Sequence, residues 1–176
     1  MKLIDIIVGA RPNFVKAAPL IRAFNANKQL CRFARFRLIH TGQHYDDLMS
    51  KIFFEQLDIP PPDFNLEVGN GTQAEQTAGV MIGYEKIIDR ARPDICLVLG
   101  DVNSTMAAAI TAKKNGVMLC HVEAGIRSQD MSMSEEINRI LTDSITDIFF
   151  TTSVSAGENL RSIGVPDTQI CFVGNT

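Results

Sequence analysis

The chain has 176 residues, 45% of them hydrophobic and 21% charged, as expected for one soluble globular domain with a sizeable core. Its net charge of −3 gives no electrostatic reason to expect binding to nucleic acid or to an anionic membrane. No apolar run reaches the roughly 20 residues that cross a bilayer, and Asp5 inside the N-terminal run favours a strand over a signal peptide. The four cysteines form no CxxC pair, and three of them fall in apolar runs. This pattern predicts buried free thiols in a reducing cytoplasm.

Apolar runs and helical patterns alternate along the first part of the chain. The patterns predict a strand over residues 3–8, a helix over 14–27, a strand over 33–41, a helix over 46–57 and a short strand over 63–68. Pro12 fits the first turn of the first helix, because that turn has no intrahelical partner for a backbone N–H.

The same alternation continues to the end of the chain. Thr72 and Glu75 have the spacing of a capping box and predict a helix that reaches about residue 91. The later elements are predicted as strand 95–99, helix 104–115, strand 117–120, helix 134–144, strand 147–151, helix 154–162 and strand 169–173. This order predicts a doubly wound, Rossmann-like α/β domain with a parallel sheet. The sequence stops directly after the last strand, which suggests a cut at a domain boundary.

Polar clusters follow two neighbouring strands, Gly100-Asp101 after the first and His121-Val122-Glu123 after the second. In a parallel sheet the carboxyl ends of the strands lie on one edge and line the ligand crevice. We therefore expect Asp101, His121, Glu123 and Arg127 on one rim, to which Glu135 and Glu136 can return from the next helix.

Three of these four acids also have a purely structural interpretation. Asp101 fits a helix N-cap, and Glu135 and Glu136 fit a first helical turn, where acids stabilise the helix dipole. An i,i+4 ion pair with Glu135 is the simplest role for Arg139. Glu123 is harder to explain structurally, because its neighbours are small and apolar. An acid held away from water can act as a general acid or base. The spacing of these carboxylates does not require a metal ion.

Two further loops follow predicted strands. The turn from Gly9 to Asn13 is neither a GxGxxG nor a P-loop motif. It is equally consistent with an anion site, aided by Arg11 and Lys16, and with a plain strand–helix turn. The second loop carries Gln43 and His44, for which local evidence alone favours exposed turn residues.

Six segments, in order along the whole chain, resemble the non-hydrolysing UDP-N-acetylglucosamine 2-epimerases. They are GARPNFVKAAPLI, TGQH, LGDVNSTMAAA, HVEAGIRS, SEEINRILTD and VGNT. Members of that family are about twice as long and have two domains in the GT-B arrangement, with the active site in the cleft. The resemblance implies that residues 1–176 form the N-terminal Rossmann-like domain and that a C-terminal nucleotide-binding domain is missing.

The resemblance also implies roles for individual residues. The catalytic carboxylates would be Asp101, Glu123 and Glu135. Residues that bind the substrate would be Arg11, Lys16, His44 and Arg127, and residues of a regulatory UDP-GlcNAc site would be Gln43 and Glu136. Two positions depart from the family: Asn13 stands where many members have Glu, and Ser134 where many have Pro. Ser134 is expected to serve as the helix N-cap.

The implied reaction interconverts UDP-GlcNAc and UDP-ManNAc at C2, in the cytoplasm, for the synthesis of cell-surface polysaccharide. The C2 proton is not acidic, so the family eliminates UDP to form 2-acetamidoglucal and adds it back on the other face. This route needs carboxylates and positive groups and implies no cofactor and no metal. We expect the isolated half to be inactive and the protein to be a homodimer. The alternatives are a hydrolysing epimerase, which releases ManNAc and UDP, and a non-catalytic nucleotide-sugar-binding module.

Overall fold

The computed structural model describes residues 1–42, 54 and 56–175. Within them, seven parallel strands form one sheet in the order β3-β2-β1-β4-β5-β6-β7. The strands are β1 (Lys2–Val8), β2 (Ala34–His40), β3 (Phe64–Asn65), β4 (Ile95–Leu99), β5 (Met118–Val122), β6 (Ile148–Thr151) and β7 (Ile170–Phe172). The helices are α1 (Arg11–Ala26), α2 (Leu30–Phe33), α3 (Gln73–Arg90), α4 (Asn103–Lys114), α5 (Ser134–Ile145) and α6 (Val154–Ser162). The predicted doubly wound α/β domain is confirmed.

Side chains of β1 alternate between two cores, one on each face of the sheet. Ile7 packs with Tyr84 of α3 and Ala108 of α4 on one face. Ile6 packs with Phe14 and Ile21 of α1 on the other. Helices on both faces explain why the strands are almost continuously apolar rather than alternating.

The strand order places the amino-terminal half of the chain on one side of β1 and the carboxyl-terminal half on the other. β1 pairs with β2 on one side and with β4 on the other, so the winding direction reverses between β1 and β4. Ligands of open α/β sheets bind at the carboxyl ends of the strands where this reversal occurs. Here that point lies between Gly9, which follows β1, and Gly100, which follows β4.

The boundaries confirm some local predictions and correct others. Thr72 caps α3, and its hydroxyl accepts a hydrogen bond from the Glu75 N–H. α1 begins three residues earlier than predicted, at Arg11, with Pro12 in its first turn. Met133, rather than Ser134, is the N-cap of α5, so the predicted cap is wrong. The helix predicted over 46–57 falls mostly outside the described residues.

Two predictions from composition can be compared with the described residues. Cys96 and Cys120 are buried free thiols, Cys171 is partly buried, and Cys31 is exposed. None of the described helices combines the length and the apolar character that crossing a membrane requires.

Candidate active site at the carboxyl ends of strands β1, β4 and β5

Asn13 joins the first two strand ends of the site. Its side-chain oxygen accepts hydrogen bonds from the backbone N–H of Ala10 at 2.9 Å and of Gly9 at 3.4 Å. Its amide nitrogen donates to the carbonyl of Leu99, the last residue of β4, at 2.7 Å. Asn13 is 2% exposed. A Glu could accept the first two bonds but, when ionised, could not donate the third. The departure at this position therefore creates a link between α1 and β4.

Lys16 and Glu123 form an ion pair across the site. Both side chains are shielded from water, with 26% and 15% of their surface exposed. Glu123 has a φ of +68°, in the left-handed region that is strained for a residue other than glycine. Such strain costs about 1–3 kcal/mol and is found most often at functional sites.

Gly100 lies next to this ion pair. Its φ is also +68°. A Cβ atom at this position would lie 3.5 Å from the Lys16 ammonium and 3.6 Å from the Glu123 carboxylate. The side chains of Lys16 and Glu123 thus converge on the residue that precedes Asp101.

Asp101 follows Gly100 in the chain and pairs with Arg139 from α5. The guanidinium donates to one oxygen of Asp101 from Nε at 2.9 Å and from Nη2. Its Nη1 donates to Glu136 at 3.0 Å. Arg139 therefore pairs with Glu136 rather than with Glu135, and the predicted i,i+4 pair is wrong. Asp101 is not the N-cap of α4, because that position is Val102.

Glu136 is buried, with 1% of its surface exposed, and its carboxylate holds the loop before α5. It accepts hydrogen bonds from the backbone N–H of Ser128 at 2.9 Å and of Gln129 at 3.1 Å, besides the bond from Arg139. Burial alone would raise the pKa of Glu136, but these bonds outweigh it and lower the pKa to about 2. The resemblance places Glu136 in a regulatory site, whereas both of its carboxylate oxygens here accept hydrogen bonds from the backbone of this chain.

Arg127 also points inward. Its guanidinium donates to Asp143 of α5 at 2.7 Å and to the carbonyl of Ile126 at 2.8 Å. Asp143 additionally binds His121 at 2.7 Å and the backbone N–H of Gly125 at 3.0 Å. Burial favours a higher pKa for Asp143, but the bonds from His121 and Arg127 outweigh it, so the pKa lies below its usual value. Asp143 thus binds the side chains of both Arg127 and His121.

α5 turns a polar face toward the sheet and an apolar face outward. Glu136, Asn138, Thr142 and Asp143 are its buried residues. Ile137, Ile140 and Leu141 are each about 40% exposed. Asn138 and Asp143 were not predicted from the sequence, although the polar residues 136, 139 and 143 have helical spacing.

The remaining predicted site residues are less enclosed. Arg11 is exposed at the start of α1. Glu135 is partly exposed in the first turn of α5, where its carboxylate accepts a hydrogen bond from the Ser134 hydroxyl at 3.2 Å. Gln43 and His44 lie outside the described residues. The structure thus places the side chains of Lys16 and Glu123 beside Gly100, the residue that precedes Asp101.

A family model described as UDP-N-acetylglucosamine 2-epimerase matches residues 28–176. The chain belongs to the UDP-N-acetylglucosamine 2-epimerase family. A UDP-N-acetylglucosamine 2-epimerase of Methanocaldococcus jannaschii is 44% identical over all 176 residues. A UDP-2,3-diacetamido-2,3-dideoxy-D-glucuronate 2-epimerase of Pseudomonas aeruginosa is 45% identical over 164 residues, which is 93% of this chain.

A crystal structure of the M. jannaschii epimerase in complex with UDP-GlcNAc and UDP superposes with a TM-score of 0.91 at 43% identity. The superposition covers 99% of this chain and 47% of that one. The chain likewise spans 46% of the M. jannaschii sequence and 45% of the P. aeruginosa sequence. It therefore corresponds to about half of an epimerase of this family, and the predicted resemblance is confirmed.

Proposed function

We propose that this chain is the N-terminal domain of a two-domain, GT-B epimerase that interconverts UDP-GlcNAc and UDP-ManNAc by non-hydrolysing chemistry. The observation that carries the proposal is the presence of two ionic contacts at the ends of β4 and β5, Lys16 with Glu123 and Asp101 with Arg139. In the proposed protein a second domain closes the cleft over this rim and contributes most contacts to the uridine.

The charges fit an elimination and re-addition. A carboxylate must remove the C2 proton, an acid must deliver a proton to the opposite face, and cations must stabilise the departing UDP. Glu123 and Asp101 have different surroundings, since one contacts an ammonium group and the other a guanidinium. Carboxylates in different environments can divide the acid and base roles. Glu135 is the third proposed catalytic carboxylate, and Arg11, Lys16, His44 and Arg127 are the proposed substrate-binding residues.

The P. aeruginosa relative favours a second candidate substrate. Its identity to this chain is as high as that of the M. jannaschii UDP-GlcNAc 2-epimerase. The diacetamido uronate named for that relative carries a carboxylate and a second acetamido group that UDP-GlcNAc lacks. The same C2 epimerisation on this sugar is therefore the second proposal, and a comparison of kcat/KM for the two substrates distinguishes them.

The decisive experiment is product analysis of the full-length protein with UDP-GlcNAc in deuterated water. We expect UDP-ManNAc with one deuterium at C2, because the abstracted proton exchanges with solvent. Free ManNAc with UDP would indicate the hydrolysing reaction, and binding without turnover would indicate a nucleotide-sugar-binding module. Glu123→Gln and Asp101→Asn should each lower turnover at least 100-fold, as expected for loss of an acid–base group.

A control variant tests whether the loss is specific to the site. Glu158 is an exposed acid of α6, so Glu158→Gln removes the same charge and should keep wild-type turnover. Unchanged turnover in both Glu123→Gln and Asp101→Asn would refute the site.

Two further expectations remain proposals. The isolated 176-residue chain should not epimerise UDP-GlcNAc, because one wall of the cleft is missing, and detectable turnover by the purified chain would contradict this. The homodimer also stays a prediction, and the exposed apolar side chains of Ile137, Ile140 and Leu141 offer a surface on which to test it.

A further inference from the structure

His121 is a buried titratable residue to which the proposed chemistry gives no role. It lies in β5, two residues before Glu123, and is 1% exposed. Its Nε2 is 2.8 Å from the carbonyl oxygen of Gly100, and its Nδ1 is 2.7 Å from a carboxylate oxygen of Asp143. One imidazole ring thus bridges the end of β4 and helix α5.

The partners of His121 fix where its protons lie. The carbonyl of Gly100 can only accept a hydrogen bond, so Nε2 carries a proton. Arg127 and the backbone N–H of Gly125 both donate to Oδ2 of Asp143, so its Oδ1 faces Nδ1 of His121. A hydrogen bond between Oδ1 and Nδ1 requires a proton on one of the two atoms. A second proton therefore lies between Nδ1 and Asp143. The ring has no lone pair left for a substrate.

The bridge holds both loops that carry the proposed catalytic acids. The backbone of Gly100 is bound to β5 twice, through its carbonyl to His121 and through its N–H to the carbonyl of Val122 at 3.0 Å. Asp101 follows directly. On the other side, Asp143 binds the N–H of Gly125, two residues after Glu123. The separation of the two acids is thereby tied to the contact between His121 and Asp143.

We propose that His121, through its hydrogen bonds to Gly100 and Asp143, is a positioning residue that sets the geometry of Asp101 and Glu123. The expected effect of His121 on turnover rests on the proposed function, whereas its expected effect on the positions of the two loops rests on hydrogen-bond geometry alone. A misplacement of about 1 Å in a catalytic group can cost roughly 100-fold in rate.

Two amide variants separate the two hydrogen bonds of the ring. The amide nitrogen of Gln can reach the position of Nε2 and that of Asn the position of Nδ1, so His121→Gln retains the bond to Gly100 and His121→Asn the bond to Asp143. In the full-length protein we expect His121→Asn to lower kcat roughly 10- to 100-fold with KM changed less than about threefold. His121→Gln should recover most of that loss.

A merely structural histidine would behave differently. Both variants would then lose stability to a similar extent, and the folded fraction of each would turn over at the wild-type kcat. That result would overturn the proposal. Thermal unfolding of each variant gives the folded fraction for the comparison.

Nitrogen NMR tests the hydrogen bonds assigned to His121 without any substrate. In the 15N-histidine-labelled protein, Nε2 of His121 should show the shift of a protonated ring nitrogen, with the signal assigned by its absence in His121→Gln. His40 is the internal control, because burial lowers its pKa to about 4 and leaves one ring nitrogen unprotonated. An unprotonated Nε2 in His121 would overturn the proposal. A wild-type protein that does not epimerise would instead refute the proposed function, and the proton assignment would still be decided by this spectrum.

Discussion

Replacing Glu123 with Gln should strengthen the binding of UDP while abolishing turnover. In the structure, Lys16 is already paired with Glu123. If the diphosphate of the substrate takes Lys16, that ion pair must first break, and the freed carboxylate is left close to an anion. Gln removes the competing charge and leaves Lys16 available.

The expected change in UDP affinity follows from the burial of the ion pair between Lys16 and Glu123. The two side chains are 26% and 15% exposed, so solvent screens their attraction only in part. A charge-assisted hydrogen bond of this kind contributes about 1.5–3 kcal/mol. Water around the freed carboxylate recovers part of this energy, which leaves about 1–2 kcal/mol, equivalent to a roughly 5- to 30-fold lower Kd for UDP.

Isothermal titration of the full-length protein with UDP measures this change. Glu158→Gln is the matched control, because it removes the same charge from an exposed side chain of α6. Its Kd should change less than about twofold at physiological salt, where exposed charges are largely screened. The gain in Glu123→Gln should also vanish when Lys16 is replaced by Met. An equal gain in both glutamate variants, or a gain that persists without Lys16, would refute the reasoning.

Two predictions concern stability. A Cβ at Gly125 would lie 2.3 Å from the carbonyl oxygen of Ala156, whereas Gly164, also at positive φ, has open space around it. Urea unfolding should therefore show a loss of more than about 3 kcal/mol for Gly125→Ala and about 1 kcal/mol for Gly164→Ala, and equal losses would contradict the packing described. The pKa of Glu136 is lowered from its ordinary 4.5 to about 2 in the folded protein, so its carboxylate stabilises the fold above pH 4.5 and loses this effect as the pH falls toward 2. The difference in Tm between wild type and Glu136→Gln should shrink over that range, and a constant difference would contradict the hydrogen bonds assigned to Glu136.

Asn13 and Ser134 both differ from the family pattern, and the structure gives the two residues different roles. Asn13 gains a hydrogen bond to Leu99 that an ionised Glu could not donate, and so joins α1 to β4. Ser134 was expected to cap α5, but the cap position is Met133, and the Ser134 hydroxyl donates to Glu135 instead. Side-chain chemistry alone could not distinguish these outcomes, because each depends on where the neighbouring backbone lies.

The sequence by itself determined the alternation of the strands with the longer described helices, the parallel sheet and the edge at which Asp101 and Glu123 follow their strands. These features follow from local rules: apolar runs form buried strands, Thr72 and Glu75 cap a helix, and parallel strands end on one edge. Only the tertiary structure decided the partner of each charge. Arg139 contacts Asp101, 38 positions away, and Arg127 contacts Asp143, because α5 packs its polar face beneath the strand ends. Such contacts depend on how a helix docks against distant loops, and no spacing within the helix encodes that docking.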